Sequence, residues 1–302
     1  MEKQEIEYYK KSGLIASQVK KFAKSFIKPD MPLLEIADKI ESEIIKLGGQ
    51  PAFPVNLSIN EIAAHYTPNM QDKTLANGLL KIDLGVEVEG CVADTAFSID
   101  LTPDNRFKEM IELNEKILES ELKSVKFSSS VGDIGNSAQS TIDDFNRKNK
   151  KEYVTIKNLS GHELGSYRIH AGLTIPNHAN ENNTQLKDVA IAIEPFVTTG
   201  RGEIYNSSNS EIFMLEDPEK NTRDKDARVL LAFIRENYKT KPFCKRWLEK
   251  AGFKKINIFL AQMVQQSILH NFPVLIEKNK SPVSQAEDTV LILKDEVIVT
   301  TR

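Results

Sequence analysis

The segment KIDLGVEVEGCVADTAFSID, residues 81–100, predicts two antiparallel strands joined at a short turn near Glu89 and Gly90. In a hairpin with a two-residue turn, the numbers of facing positions add to an odd total, so Asp83 and Asp94 are opposite or diagonal neighbours on one face. Two carboxylates in apolar strands are costly to desolvate unless a cation lies between them. The pair is therefore a candidate metal site, although an isolated pair also fits a turn cap and a solvent-facing side chain.

Three further residues extend this candidate site. Glu194 interrupts the apolar segment DVAIAIEPFV, Glu287 begins the segment EDTVLILK after a polar loop, and His162 lies in SGHELGSYRIHAG, residues 160–172. With the two aspartates they form an oxygen-rich ligand set that suits a pair of divalent cations able to activate a water. Buried glutamates also commonly have structural partners, so residue chemistry alone leaves both interpretations open.

The remaining histidines give weaker signals. His65 ends a helix-like run in NEIAAHYTPN, and His170 is at the edge of a loop. A single histidine is commonly a neutral imidazole bonded to a backbone carbonyl, and this interpretation stays open for both. It is also the interpretation of His178 and His270.

Helical and strand patterns share the rest of the chain. Apolar spacing predicts helices near residues 5–27, after Pro32 and near 132–145, and strands near 79–101, 188–197, 287–294 and 296–301. Long helices beside antiparallel strands indicate an α+β fold. The similar spacing in residues 36–44 and 134–142 is consistent with two related halves but does not establish them. Between about Asn206 and His270 the composition changes to a compact helical group, which we interpret as an insertion.

Composition limits the function classes. The 302 residues carry a formal net charge of −3 with 27% charged residues, so we expect no dedicated nucleic-acid binding. No apolar run is long enough to cross a bilayer, and the charged start does not match a signal peptide, which predicts a cytoplasmic protein without a membrane partner. Cys91 and Cys244 form no metal-binding motif. The helical group is locally basic, and a small DNA-binding helical module remains a minority alternative because acidic residues dilute its charge.

Several segments together resemble the type II methionine aminopeptidases. These segments are AAHYTPN, KIDLGVEVEGCVADTAFS, GHELGSYRIHAG, AIEPFVTTGRG and VSQAEDT, in the family's order and at close to its separations over nearly the whole chain. PFCKRWL, residues 242–248, resembles part of the type II insertion, and without a long charged N-terminal extension the chain looks more like the archaeal members. The resemblance implies a pita-bread fold with pseudo-two-fold halves, a catalytic domain of residues 1–209 and 269–302, and a helical insertion of residues 210–268.

The resemblance also implies a metal centre with two divalent ions, for which Co, Mn, Fe and Zn are all candidates. Its five ligands would be Asp83, Asp94, His162, Glu194 and Glu287. Asp94 and Glu287 would bridge the two ions, Asp83 would complete one, and His162 with Glu194 would complete the other. Glu194 would also handle the proton of the attacking water.

The implied substrate is the N-terminal methionine of a nascent polypeptide with a small second residue. His65 and His170 would contact it and help to stabilise the tetrahedral intermediate, and Phe53, Ile169 and Phe272 would line the methionine pocket. A monomer is expected, and ribosome contact is left open.

Two other classes share this scaffold. A prolidase or Xaa-Pro aminopeptidase would use the same five ligands but usually carries a separate N-terminal domain. A non-catalytic relative that binds RNA or protein would have lost ligands, and none is missing here. One departure is Asp288, which follows Glu287 where the family usually has histidine, and we expect it to alter metal preference or pH optimum without being a ligand.

Overall fold

The computed structural model describes residues 1–302 and contains seven helices and sixteen strands. The helices are α1 (Lys3–Phe26), α2 (Leu33–Lys46), α3 (Lys108–Ser124), α4 (Val131–Asn149), α5 (Lys225–Asn237), α6 (Lys245–Lys250) and α7 (Ile256–Gln265). The strands are β1 (Gln50–Pro51), β2 (Asn56–Ile59), β3 (Ile62–Ala64), β4 (Leu79–Val88), β5 (Cys91–Asp100), β6 (Val154–Thr155), β7 (Ser160–Leu164), β8 (Thr174–Pro176), β9 (Val189–Ile193), β10 (Phe196–Thr198), β11 (Ile204–Leu215), β12 (Phe243–Cys244), β13 (Leu269–Glu277), β14 (Val283–Gln285), β15 (Asp288–Ile292) and β16 (Val297–Val299).

The long hairpin β4–β5 has the predicted two-residue turn. Glu89 and Gly90 both have positive φ, 50° and 89°, as a type I′ turn requires. Asp83 faces Ala96 and Asp94 faces Gly85, so the two aspartates are diagonal neighbours. The sequence argument about their shared face is therefore confirmed.

The strands form four antiparallel sheets. The sheet that contains the β4–β5 hairpin and the sheet that contains β9 each pack against a pair of helices. One sheet has the order β1-β4-β2, with β5 on the other side of β4, and packs against α1 and α2. Another has the order β16-β15-β9-β7-β8, and α3 and α4 pack beside it. Separate apolar clusters fill the two helix–sheet layers. Helices on antiparallel sheets confirm the α+β prediction.

The helical group has an apolar core of its own. Side chains of α5, α6 and α7 pack with residues of β11, β12 and the start of β13 in a cluster that includes Leu230, Phe243 and Leu260. Strand β11 continues to Leu215. The prediction of a helical group from about Asn206 is therefore wrong for the first part of that region.

Two other local predictions differ from the structure. Helix α3 was not recognised from the sequence, although Met110, Leu113 and Ile117 have helical spacing and are buried. The run before His65 is strand β3 rather than helix, because Ala64 pairs with Leu275 of β13. The chain contains no helix with the length and apolarity needed to cross a membrane.

Candidate metal centre

Asp94 and Glu287 come together where β5 meets the start of β15. Ala96 and Glu287 exchange two backbone hydrogen bonds of 3.3 and 3.0 Å, which tie the first sheet to the second. The Asp94 N–H donates to Thr289 Oγ1 at 2.7 Å, and that hydroxyl donates to the Asp94 carbonyl at 2.8 Å. The backbone junction between the two sheets thus places two carboxylates from distant parts of the sequence side by side.

His162 lies beside the acidic residues. Its Nε2 is 3.8 Å from Asp94 Oδ2 and 3.5 Å from Glu194 Oε1. Side-chain ligand atoms of Asp94, His162 and Glu287 all lie within 4.8 Å of one another. Strand β7 carries His162, and Glu194 follows directly after β9, to which β7 is paired.

Several carboxylate oxygens at this junction lack hydrogen-bond donors. Both oxygens of Glu287 and the Oδ1 atoms of Asp83 and Asp94 are buried without a hydrogen-bond partner. Desolvation raises the pKa of Asp83 to about 7 and raises those of Asp94, Glu194 and Glu287 well above the ordinary carboxyl value, with repulsion from neighbouring acids adding to the last three. Desolvation also lowers the pKa of His162 to about 3, which keeps the imidazole neutral.

These properties fit divalent metal ions. Unpartnered buried carboxylate oxygens beside a neutral imidazole form a hard oxygen and nitrogen donor set, and a cation removes the repulsion that otherwise forces the acids to be protonated. Bound cations would therefore compensate the buried carboxylate oxygens that receive no hydrogen bond from the protein.

Gln285 is a residue of this centre that the sequence did not indicate. Its Nε2 donates to Asp83 Oδ2 at 3.3 Å and to Glu194 Oε2 at 3.5 Å, so one amide connects carboxylates of both sheets. A neutral amide two positions before Glu287 carries no charge that would mark it as a ligand or a base, so the sequence alone does not distinguish it. Its position predicts that it orients the two acids.

His65 has a defined tautomer. Its Nδ1 is 3.1 Å from the carbonyl oxygen of Pro273, which only accepts, so Nδ1 carries the proton and donates. Desolvation lowers the pKa of His65 to about 4, which leaves Nε2 unprotonated at neutral pH. His65 is therefore a hydrogen-bond acceptor at its second nitrogen.

His170 lies beside the candidate ligand His162. Its ring meets that of His162 edge-on, with centroids 4.4 Å apart. His170 is exposed at the cavity, yet partial desolvation of its ring lowers its pKa below the ordinary histidine value. Its imidazole is therefore also neutral at neutral pH. A neutral, accessible imidazole offers one N–H donor to a ligand.

A single cavity collects all ten residues that the sequence singled out for this site. Its lining includes Phe53, His65, Asp83, Asp94, His162, Ile169, His170, Glu194, Phe272 and Glu287. Ile212 and Pro242, to which no role could be assigned from the sequence, also line it. Phe272 packs edge-on against His65, with ring centroids 5.3 Å apart. The cavity thus has an acidic end and an apolar wall.

Gly85 makes room for this apolar wall. A Cβ atom at Gly85 would lie 2.3 Å from Cε1 of Phe53, which is closer than side-chain atoms can approach. Gly85 also faces Asp94 in the hairpin. The absence of a side chain there lets Phe53 lie directly over the strand that carries a candidate ligand.

Asp288 points away from the other acids of the centre. Its carboxylate accepts from Lys20 at 2.7 Å, from the Thr301 hydroxyl at 2.8 Å and from Arg302 at 2.7 Å. Its charge is therefore balanced outside the cavity, although it still contributes to the raised pKa of Glu287. The expected effect of Asp288 on metal preference or pH optimum stays a prediction.

Comparison with known proteins agrees with this geometry. The family model of metallopeptidase family M24 matches residues 7–224. A methionine aminopeptidase of Pyrococcus horikoshii is 39% identical over 96% of this chain and 97% of its own length, and that of Methanocaldococcus jannaschii is 38% identical over 99% and 100%. The chain belongs to the methionine aminopeptidases of metallopeptidase family M24.

The fold of this methionine aminopeptidase family member is also found in a solved bacterial structure. The methionine aminopeptidase of Thermotoga maritima covers 100% of this chain and 98% of its own with a TM-score of 0.70 at 19% identity. This likeness concerns the fold alone, and it agrees with the predicted pita-bread architecture. The family resemblance stated from the sequence is confirmed, and use of divalent metal follows from membership of a metallopeptidase family.

Proposed function

We propose that the protein hydrolyses the peptide bond after an N-terminal methionine, in nascent polypeptides whose second residue is small. The observation that carries this proposal is the convergence of five candidate metal ligands, two neutral histidines and three apolar side chains on one cavity. The curated archaeal relatives of nearly equal length are methionine aminopeptidases. The proposal assigns to each group a role that its surroundings support.

The proposed metal centre holds two divalent cations. Asp94 and Glu287 would be shared between them, Asp83 would complete one site, and His162 with Glu194 would complete the other. Their unpartnered buried oxygens support this assignment. Bound divalent cations supply Lewis acidity, which lowers the pKa of a water and polarises a carbonyl group.

Glu194 is the proposed general base. Its carboxylate contacts both His162 and Gln285, which hold it beside the other proposed ligands and the water they would activate. It would take the proton of the attacking water and pass it to the leaving amine.

The two histidines would then have complementary parts. His65 accepts through Nε2, so it suits the N–H of the scissile amide and not the oxyanion. His170 has an N–H donor available and would stabilise the oxyanion. The family resemblance gave both residues one shared role, and the tautomer of His65 supports this division.

The apolar wall of the cavity would hold the methionine side chain. Phe53, Ile169 and Phe272 line it, and Phe53 and Ile169 are buried. A thioether gains by burial without demanding a hydrogen bond, whereas a charged first residue would pay for desolvation. This wall supports selection of methionine.

We also propose that residues 210–268 form a subdomain on a catalytic domain of residues 1–209 and 269–302. The separate apolar cluster of α5, α6 and α7 supports this division. A cytoplasmic, monomeric enzyme that processes emerging chains is the proposed context, with ribosome contact as an open extension.

Nucleic-acid binding by the helical group is a poorer proposal. Lys241, Lys245 and Lys250 form ion pairs with Glu87, Glu211 and Asp38, and Arg246 is fully buried against Glu41. Much of the local basic charge is thereby neutralised within the protein.

A comparison of peptides tests the proposed function. With added Co²⁺, Mn²⁺, Fe²⁺ or Zn²⁺, Met-Ala-Ser should be cleaved after methionine, whereas Ala-Pro should not be cleaved. Turnover of Ala-Pro alone would indicate a prolidase-type enzyme. Absence of turnover of either peptide with all four cations would reject the enzyme proposal.

A further inference from the structure

The two loops that carry His65 and His170 contain backbone conformations that need support from surrounding contacts. His65 itself has a φ of 65°, and Tyr167, three residues before His170, has a φ of 56°. Residues other than glycine keep such left-handed conformations only where surrounding contacts over-determine them. The contacts that hold these two loops therefore decide where the histidines lie.

Arg246 of helix α6 supports the loop that carries His65. Its guanidinium is fully buried, and Nε donates to the carbonyl oxygen of Pro68 at 3.1 Å while an Nη donates to the Thr67 hydroxyl at 3.4 Å. Two further bonds of 2.6 and 2.9 Å to the Glu41 carboxylate fix the guanidinium against α2. The segment that directly follows His65 is thus fastened to the helical group.

The residues just before β12 hold the second loop. The Thr240 hydroxyl donates to the carbonyl oxygen of Tyr167 at 2.7 Å, and the Lys239 ammonium lies 3.4 Å from the centroid of the Tyr167 ring. Buried Lys241 pairs with Glu87 at 2.5 Å. These contacts bring the helical group against the loop that presents Ile169 and His170.

The hairpin turn completes this support. The Gly90 N–H donates to Glu87 at 2.7 Å, and the Tyr167 N–H donates to the Gly90 carbonyl at 2.9 Å. Glu87 therefore connects the ammonium of Lys241 to the turn on which Tyr167 rests. The ion pair holds the loop and the turn as one unit.

We infer that Thr240, Lys241 and Arg246 position the two substrate histidines, so that the helical group is a support for the binding site. We call these three residues the clamp. They are positioning residues, because they act through the loops that carry His65 and His170. None of their hydrogen bonds or ion pairs goes to the five proposed metal ligands. This inference rests on the proposed function, in which His65 and His170 contact the substrate.

The geometry predicts that the two sides of the clamp act on different loops. Loss of Arg246 should loosen residues 65–69 and leave 165–171 in place, and loss of Lys241 should do the reverse. The metal ligands lie on or beside the sheet strands, so metal content should not change. A general loss of stability would not separate the loops in this way.

The variants are chosen to avoid buried unpaired charges. Arg246→Met is combined with Glu41→Gln, and Lys241→Met with Glu87→Gln, because removal of one partner of a buried pair is strongly destabilising. Thr240→Val removes only the hydrogen bond to Tyr167. Lys254→Met is the control, because Lys254 belongs to the helical group but is exposed and shares no acceptor with the clamp residues.

The full-length, metal-loaded proteins are compared by amide hydrogen exchange, kcat/KM on Met-Ala-Ser, and metal content. We expect each double variant to speed exchange by about tenfold or more at its own loop only, which for the first loop is measured at the Leu57 N–H that donates to the Tyr66 carbonyl oxygen. We also expect each to lower kcat/KM by about tenfold or more. Thr240→Val should do the same at 165–171 to a smaller extent. Lys254→Met should match the wild type.

Unchanged loop exchange, or faster exchange with unchanged kcat/KM, would overturn the inference. If the double variants do not fold, Thr240→Val decides the question by the same two measurements. If the wild type cleaves no methionyl peptide, the proposed function fails. Loop-specific exchange then still decides whether the clamp holds the loops.

Discussion

His162 and His170 lie edge to edge, with ring centroids 4.4 Å apart and ring planes inclined by 78°. His162 is buried with Nε2 near two carboxylates, whereas His170 is exposed at the cavity. Two neighbouring imidazoles on one wall thus have different surroundings, and these surroundings predict different consequences of their loss.

Alanine substitutions should separate the two histidines. His170→Ala should retain the metal content of the wild type and lower kcat for Met-Ala-Ser by about 10²–10³-fold, as expected for a lost oxyanion donor. His162→Ala should lose bound metal on dialysis, because it removes the only nitrogen among the proposed ligands. Metal analysis beside steady-state kinetics checks both. Equal metal loss in the two variants would contradict the assignment.

The shared face of Asp83 and Asp94 was predictable from the sequence, because a two-residue turn fixes hairpin register. The meeting of Asp94 and Glu287 was not. It depends on backbone bonds between two sheets, and no local pattern carries that information. The family order of the motifs supplied what the local residues could not.

Local patterns failed where tertiary pairing decided the structure. The run EIAAH fits helical spacing, yet pairing of Ala64 with Leu275 makes it a strand. Residues 205–209 of strand β11 are all exposed and lack the apolar alternation that identifies a strand. The supports behind His65 and His170 likewise depend on contacts between distant segments.

Glu194→Gln tests the general base. The amide keeps the size of the side chain and one ligand oxygen but cannot take a proton, so kcat should fall by at least about 10²-fold with most of the metal retained. Glu203→Gln, which alters an exposed acid paired with Lys278, is the matched control and should be unaffected. Full activity of Glu194→Gln in the metal-reconstituted protein would reject the mechanism.

Metal removal should lower the stability of the folded protein. A cation that binds only the folded state stabilises it by about 2.7 kcal/mol at a hundred times Kd. Protons compete for Asp94 and Glu287, whose pKa values are raised, so the gain in Tm on adding Mn²⁺ should be larger at pH 8 than at pH 6. Thermal unfolding in chelator and in Mn²⁺ measures this difference.

The matched variant replaces both acids that we propose to be shared between the cations by neutral side chains. Asp94→Asn with Glu287→Gln should remove the Mn²⁺-dependent gain in Tm while raising the Tm measured in chelator, because it relieves the repulsion of buried carboxylates. A gain of wild-type size in this variant would show that the cation binds elsewhere.

Gly85→Ala should act on the proposed methionine pocket. The new Cβ would meet Phe53 at 2.3 Å, so the ring must shift into the apolar wall. We expect an increase in KM for Met-Ala-Ser of about tenfold, since a displaced ring narrows the pocket. The additional change Phe53→Leu should recover part of the lost affinity by freeing space. Steady-state kinetics of both variants is the measurement, and an unchanged KM in Gly85→Ala would contradict this account of the pocket.

His65 should make stability depend on pH in a defined window. Its pKa is lowered to about 4 in the folded protein, whereas an unfolded histidine titrates near 6.5. Between these values the unfolded chain binds the additional proton, so the free energy of unfolding falls as the pH falls from about 6.5 to 4. His65→Gln removes this titrating group while its amide can still donate to Pro273. Urea unfolding at pH 7 and pH 5 should therefore show a smaller loss in the variant, and an equal loss in both proteins would mean that His65 is not the neutral acceptor that its bond to Pro273 implies.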